Sequence, residues 1–159
     1  VLTVFIIGSL LQGPILYAQE DYLKITAQIE PQTIKQGEEG TLKIKIAPRN
    51  GLRISSHPEF MIKFDKNNNL SFSKLFFTAS ELDFQTVQEN DHVFLQLDKE
   101  VTINFKVVDN ALLGKHRITG EVVFTAVYKD NWSVKTYQRF ALDFTSRKNR
   151  KLRSKLKRK

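Results

Sequence analysis

The chain of 159 residues contains no cysteine. It can therefore form no disulfide, bind no zinc through thiolates and carry out no thiol catalysis. Glycine is scarce, with seven residues, and there are only four prolines, whereas phenylalanine occurs twelve times. Because phenylalanine is enriched in strands, this composition favours strands over helices. A hydrophobic share of 41% is enough for one core and, at this length, predicts a single domain.

Positive charge is concentrated near the carboxyl end of the sequence. The 25 Lys and Arg residues outnumber the 17 Asp and Glu residues, which gives a formal net charge of +8. Nine of the basic residues fall within positions 146–159: Arg147, Lys148, Arg150, Lys151, Arg153, Lys155, Lys157, Arg158 and Lys159. Removing these nine leaves 16 basic against 17 acidic residues, so the rest of the chain is close to neutral.

Two interpretations of this basic tail, residues 146–159, stay open. In the first, the domain is a peripheral binder of anionic surfaces, and the tail contacts a lipid headgroup, a nucleic acid or another polyanion. Leu152 and Leu156 are four residues apart and would allow a weakly amphipathic helix on such a surface. No aromatic residue lies among the cations to stack on bases, which weakens the nucleic-acid case. In the second interpretation, the tail is a disordered, solvated run that improves solubility.

An apolar segment precedes the rest of the chain. Residues 1–11 are almost continuously apolar, a Gly-Pro break follows at 13–14, and the polar stretch Gln-Glu-Asp begins after Ala18. This order predicts a secretory signal peptide over residues 1–18 and therefore an exported domain, periplasmic or extracellular. The alternatives are a buried strand and an uncleaved membrane anchor, although the Gly-Pro break shortens the run below the ~20 residues that a spanning helix needs.

From Tyr22 onward, apolar and polar residues alternate with a period of two. The pattern is clearest at 23–30 and 41–48, where Leu and Ile fall on one face, as is typical of a strand half buried in a core. Further strands are predicted at 52–54, 60–64, 70–77 and 82–87, with one hairpin from 93–97 and 101–107 and another from 118–128 and 132–144. Seven to nine short strands predict an all-β fold, an antiparallel immunoglobulin-like β-sandwich over residues 19–145.

The segment 120–132 carries a family resemblance. It reads Gly-Glu-Val-Val-Phe-Thr-Ala-Val-Tyr-Lys-Asp-Asn-Trp, and it resembles the late hairpin of the N-terminal domain of the thiol:disulfide interchange protein DsbD. In that family, a strand ending in Tyr-Gln-Ala-Cys is followed by a polar turn and a Cys-x-Pro-Pro motif. Phe124 stands at the tyrosine position, and Val127 and Trp132 stand at the two cysteine positions. The order of the earlier elements extends the resemblance over most of 22–145.

The resemblance implies a scaffold but not a reaction. Members of the family exchange disulfides with partner proteins outside the cytoplasm, and this chain has no thiolate with which to do so. We therefore expect a non-catalytic domain that acts by protein–protein interaction, with no cofactor and no small-molecule substrate. The partner would be an unknown protein, for instance a membrane or periplasmic redox or assembly protein.

Phe124, Val127 and Trp132 are the candidate binding residues at this hairpin. Val127 and Trp132 are expected to pack as a cross-strand apolar pair where the disulfide would lie. The alternative is that Trp132 is an exposed anchor for a partner, because tryptophan is enriched at interface hot spots.

The sequence shows no motif for catalysis or for metal binding. His57, His92 and His116 are far apart and share no metal-ligand spacing. Ser56 and His57 place a nucleophile beside a base, but no elbow motif surrounds the serine. We therefore expect neither an enzyme nor a metal protein.

Overall fold

The computed structural model describes residues 22–49, 51–58, 60–128 and 132–150, and this part of the chain is nearly all β. Its strands are β1 (Leu23–Glu30), β2 (Thr33–Lys35), β3 (Glu39–Pro48), β4 (Arg53–Ile54), β5 (Met61–Phe64), β6 (Leu70–Phe72), β7 (Phe76–Thr78), β8 (Gln85–Glu89), β9 (His92–Gln96), β10 (Glu100–Val107), β11 (Gly114–Val127) and β12 (Ser133–Arg147). No helix within these ranges is long and apolar enough to cross a membrane. The predicted signal segment 1–18 lies outside the described residues.

Two sheets form a β-sandwich, as the sequence predicted. One has the strand order β1-β3-β10-β6, and the other has the order β2-β12-β11-β5-β7 with β4 also paired to β11. Among the described strands, only β2 pairs in parallel, alongside the end of β12. Strands β8 and β9 form a separate two-stranded sheet. An isolated bridge between Ser55 and Phe94 connects this small sheet to the chain just after β4.

The core lies between the two large sheets. Leu42 and Ile44 of β3 are fully buried on one side, and Val122 and Phe124 of β11 on the other. This alternation follows from the strand geometry, since successive side chains point to opposite faces. Each such side chain contributes about 1.5–3 kcal/mol by leaving water. Burial of these rows therefore fixes the register of each strand in its sheet.

One predicted hairpin is confirmed and the other is wrong. Strands β11 and β12 pair along their whole length, from Gly114 opposite Ser146 to Val127 opposite Ser133. By contrast, β9 pairs with β8, and β10 lies between β3 and β6. Residues 93–97 and 101–107 are thus not partners. The reason is that alternation identifies the buried face of a strand but not its neighbours. Strand β10 is an inner strand of its sheet, and both of its edges are paired, one with β3 and the other with β6.

Strand β12 continues two residues past position 145, where the sandwich was expected to end. Ser146 is buried, and its hydroxyl donates to the carbonyl of Leu112 at 2.5 Å. The carbonyl of Arg147 accepts a hydrogen bond from the backbone N–H of Gln36 at 2.8 Å. Ser146 and Arg147 therefore belong to the sandwich. The remaining cations of the predicted tail divide into Lys148 and Arg150, which the structure describes, and Lys151, Arg153, Lys155, Lys157, Arg158 and Lys159, which lie outside the described residues.

Candidate functional site

Aromatic side chains gather where the β11–β12 hairpin reaches one end of the sandwich. The ring of Tyr22 lies edge-on to Phe124, with centroids 6.2 Å apart, and edge-on to Tyr128 at 6.5 Å. Trp132 packs against Tyr128 with centroids 4.9 Å apart. The backbone N–H of Tyr128 donates to the carbonyl of Trp132 at 2.8 Å, and this bond holds the two residues side by side. We call Tyr22, Tyr128, Trp132 and the adjacent cavity described below the aromatic end.

The three candidate binding residues of this hairpin differ in their exposure to solvent. Phe124 is only 1% exposed, so it is a core residue and offers no surface to a partner. Trp132 is 55% exposed, and Val127 lies opposite Ser133, so the expected packing of Val127 on Trp132 is wrong. The physical reason is that Trp132 lies one residue beyond the paired strands, past the last buried layer of the core. Its ring therefore packs on Tyr128 and leaves half of its surface in water.

An open cavity of about 240 Å³ adjoins Tyr128. It is lined by residues from β4, β8, β9 and β11 and from the ends of these strands: Arg53, Glu89, Asn90, His92, Phe94, Val127 and Tyr128. Val127 is buried as a residue but still contributes to this lining. Of the three proposed residues, only Val127 lines the cavity. Trp132 packs on Tyr128, which also lines it, and Phe124 is buried in the core.

An ion pair between Arg53 and Glu89 lies beside the aromatic wall of this cavity. Arg53 forms an ion pair with Glu89, and its guanidinium carbon lies 5.0 Å from the centre of the Phe94 ring. The His92 ring lies 5.9 Å from Phe94 on the same wall. Because both charged side chains are nearly half exposed, the ion pair adds little stability, and its main effect is to orient the guanidinium over the aromatic face. The cavity therefore offers aromatic walls and a matched pair of opposite charges.

The Ser56–His57 pair lies in a different place, on the rim of a second cavity of about 400 Å³. The Ser56 hydroxyl is 2.9 Å from Nδ1 of His57, and it also donates to the Val93 carbonyl at 3.0 Å. No carboxylate is present among the described residues that line this cavity. The pair consequently lacks the acidic group that orients the histidine in a triad.

The third histidine, His116, has a structural position. Its Nε2 lies 2.6 Å from the Leu112 carbonyl and 2.9 Å from the Ser146 hydroxyl, and its ring stacks on Phe144 at 5.3 Å. Across the part of the chain that the structure describes, no group of three or more His, Asp or Glu side chains could hold a metal ion.

Sequence reasoning missed Arg53, Glu89 and Phe94. These residues come from three separate strands. They meet because β4 pairs with β11 and Ser55, just after β4, bridges to Phe94 of β9. A pattern of period two cannot identify such partners. The one available signal was Arg53 itself, a charged residue between the apolar Leu52 and Ile54 in a segment with a predicted strand.

No family model and no curated protein matches the chain. Solved structures with a similar arrangement include a cohesin module of a family 33 glycoside hydrolase from Clostridium perfringens, with 7% identity over 80% of this chain and 98% of that one and a TM-score of 0.41. The major pilin subunit of Bacillus cereus has 11% identity over 78% of this chain and a TM-score of 0.43, and the match spans 40% of the pilin chain. A third, AvmM, is described as catalysing macrocyclization in alchivemycin A biosynthesis, with 11% identity over 76% of this chain and 88% of that one and a TM-score of 0.30. At these values none of the three assigns a function to this chain.

Proposed function

We propose that this chain is a non-catalytic β-sandwich domain that binds another protein through its aromatic end. The observation that carries the proposal is the position of Trp132, which is half exposed, packed on Tyr128 and close to a cavity containing Arg53. Tryptophan, tyrosine and arginine are the residue types that dominate binding energy at protein interfaces. Here Arg53 and Tyr128 line the cavity, and Trp132 packs on Tyr128.

Trp132 already has packing and backbone contacts in the free domain, which favours binding. Trp132 is held by the ring of Tyr128 and by the backbone hydrogen bond between the two residues. A side chain that is fixed before binding loses less conformational entropy, and immobilising a mobile one costs about 0.5–1.5 kcal/mol. Trp132 can therefore bury its exposed half against a partner while it keeps its contact with Tyr128.

The size of the cavity supports a protein partner over a small molecule. Its volume of about 240 Å³ is below the ~300–1,000 Å³ of typical small-molecule sites. It is large enough to receive a side chain of a partner while Trp132 packs beside it. The Arg53–Glu89 pair would fix the orientation of the partner, because each of its charges can be matched by a partner group of the opposite sign.

The absence of cysteine excludes the disulfide exchange of the family that the hairpin resembles. Kinship with the DsbD N-terminal domain would make the aromatic end a docking surface that has lost its thiols, and it rests on the hairpin motif and on the order of the earlier sequence elements. Export is the other part of the proposal, and it rests on the signal-like segment 1–18. Recovery of a full-length, uncleaved chain in the cytoplasmic fraction of the native host would count against export.

Site-specific photo-cross-linking in the native host tests the protein contact. A photoreactive residue at Ser133, next to Trp132, should give a discrete product with one partner protein, whereas the same residue at the exposed Thr102 of the other sheet should not. Trp132→Ala should abolish the product, and Phe76→Ala, which removes a comparably exposed ring elsewhere, should leave it unchanged. A product that survives Trp132→Ala would overturn the proposal.

A further inference from the structure

The loop between β10 and β11 exposes two adjacent leucines. Leu112 is 71% exposed and Leu113 is 56% exposed, whereas the preceding Ala111 is buried. The loop backbone is nevertheless held firmly. The N–H of Leu112 donates to the side-chain oxygen of Asn69 at 2.8 Å, and its carbonyl accepts from the Ser146 hydroxyl at 2.5 Å. Two large apolar side chains are thus presented to solvent on an ordered loop.

Gln36 connects this loop to the start of the basic segment. Its side-chain Nε2 donates to the Ala111 carbonyl at 2.7 Å, and its backbone N–H donates to the Arg147 carbonyl at 2.8 Å. Its own carbonyl accepts from Nδ2 of Asn149 at 3.0 Å. The exposed leucines and the cationic segment 147–150 therefore form one surface, which we call the basic end.

Cations outnumber acidic groups at the basic end. The charged residues on its strand ends and loops include the cations Lys35, Lys66, Lys106, Lys115, Arg117, Arg147, Lys148 and Arg150, and the acids Glu30, Glu38, Glu39, Asp65, Asp109 and Asp143. Three of the acids each lie within 4 Å of one of these cations, in the pairs Lys35–Glu38, Lys106–Asp109 and Arg117–Asp143. In the sequence, the following positions 151–159, which lie outside the described residues, contain six more cations.

We propose that the basic end binds anionic lipid bilayers, with Leu112 and Leu113 entering the headgroup region while the surrounding cations contact lipid phosphates. A bilayer is the occupant that uses both features, because it offers negative charge at its surface and apolar chains just below. A nucleic acid would use the cations but not the leucines. This inference goes beyond the proposed protein contact, since it concerns the opposite end of the sandwich.

Co-sedimentation of the full chain with vesicles tests the inference. Binding should be strong to an equimolar mixture of phosphatidylcholine and phosphatidylglycerol, absent with phosphatidylcholine alone, and weakened by salt. The double variant Leu112→Ser/Leu113→Ser should bind anionic vesicles roughly tenfold more weakly, because it loses the apolar contribution and keeps every charge. Phe76→Ser, which removes a comparably exposed ring elsewhere, serves as the matched control and should bind like the wild type. Equal thermal midpoints show that both variants fold.

Fluorescence gives a second readout because Trp132 is the only tryptophan of the chain. Trp132 belongs to the aromatic end, so its emission should not shift when vesicles bind. In the variant Trp132→Phe/Leu113→Trp, the new indole should shift to shorter wavelength with anionic vesicles only.

Two results would overturn the inference. One is a double leucine variant that binds as tightly as the wild type, with duplex DNA competing equally against both, which would make the basic end a general polyanion binder. The other is a shift of Trp132 emission in the wild type, which would place the aromatic end at the lipid. The variant Trp132→Ala should keep its vesicle binding, so failure of the protein contact and failure of the lipid contact remain distinguishable.

Discussion

The two ends of the sandwich expose different chemistry on one continuous pair of strands. At the aromatic end, the apolar surface comes from stacked rings, and Arg53 is matched by Glu89. At the basic end, it comes from two leucines, and cations exceed acids. Strand β12 has 15 residues, and at ~3.3 Å per residue it separates the two ends by about 50 Å. The distance implies that each end can be altered without affecting the other, since effects of mutations so far apart add.

The largest expected loss of stability comes from removing a buried ring near the aromatic end, and it is compared with the loss of an exposed one. Phe124→Ala removes a ring that is 1% exposed and should lower the free energy of unfolding by about 3–5 kcal/mol. Trp132→Ala removes a half-exposed ring and should cost about 1 kcal/mol or less, mostly the ring contact with Tyr128. Urea unfolding followed by circular dichroism measures both values. Similar losses for the two variants would show that Trp132 is part of the core.

A second comparison involves two buried glycines, Gly40 nearer the basic end and Gly120 near the middle of β11. A Cβ at Gly120 would collide with the backbone carbonyl of Lys63 and lie 2.7 Å from the Phe140 ring. At Gly40 it would meet only side-chain atoms of Ile34 and Phe105 among its three nearest neighbours. Since a backbone atom moves less readily, Gly120→Ala should destabilise by about 1–3 kcal/mol, more than Gly40→Ala. Thermal unfolding of the two variants would refute this if Gly40→Ala proved the more harmful.

Gln36→Ala tests how the basic end is held together. Loss of its hydrogen bond to the Ala111 carbonyl should cost about 0.5–1.5 kcal/mol. Amide exchange should accelerate in the loop 108–113 and remain unchanged at the aromatic end. Gln28→Ala, on the exposed face of β1, is the control and should leave exchange in that loop as it is. Uniform acceleration throughout the sandwich would mean that the two ends are not independent.

The smallest expected effect concerns pH at the basic end. Two hydrogen bonds from Arg117, at 2.7 and 3.0 Å, hold the pKa of the Asp143 carboxyl below its ordinary value. A carboxyl whose pKa is lowered in the folded state contributes stability above its unfolded-state pKa of about 3.9, and this contribution is lost as the pH falls through the folded pKa. Asp143→Asn should therefore slightly reduce the loss of thermal stability on acidification. An NMR titration in which Arg117→Gln leaves the pKa of Asp143 unchanged would contradict this.

Alternation in the sequence predicted the longest strands and their buried faces, because burial of one face imposes a period of two. It did not predict β2, and the single strand predicted at 70–77 is two strands, β6 and β7, in different sheets. It could not assign β10 to β3 and β6, since the partner of a strand depends on the whole fold. It placed the hairpin correctly at 118–128 and 132–144 but put Trp132 against Val127. The exposure of Trp132 depends on where the core stops, which no local pattern records.

The candidate surfaces were harder to predict than the fold. Arg53 and Phe94 meet because Ser55, just after β4, bridges to Phe94 of β9. In the sequence, Leu112 and Leu113 are apolar residues before a strand, with nothing to mark them as exposed. Only the structure shows that the leucines are exposed and that Gln36 joins their loop to Arg147. The positive charge of the segment after 146 was evident from composition. The parallel pairing of the end of β12 with β2 was not.

Strand β1 starts at the aromatic end, whereas β12 finishes at the basic end, so the chain enters and leaves the domain at opposite poles. A tether attached ahead of Tyr22 would keep the aromatic pole near its anchoring point and project the basic pole about 50 Å outward. A tether attached after Arg150 would do the reverse. Anchoring one terminus therefore keeps the end nearest to it close to the anchor and leaves the opposite end free to contact other molecules.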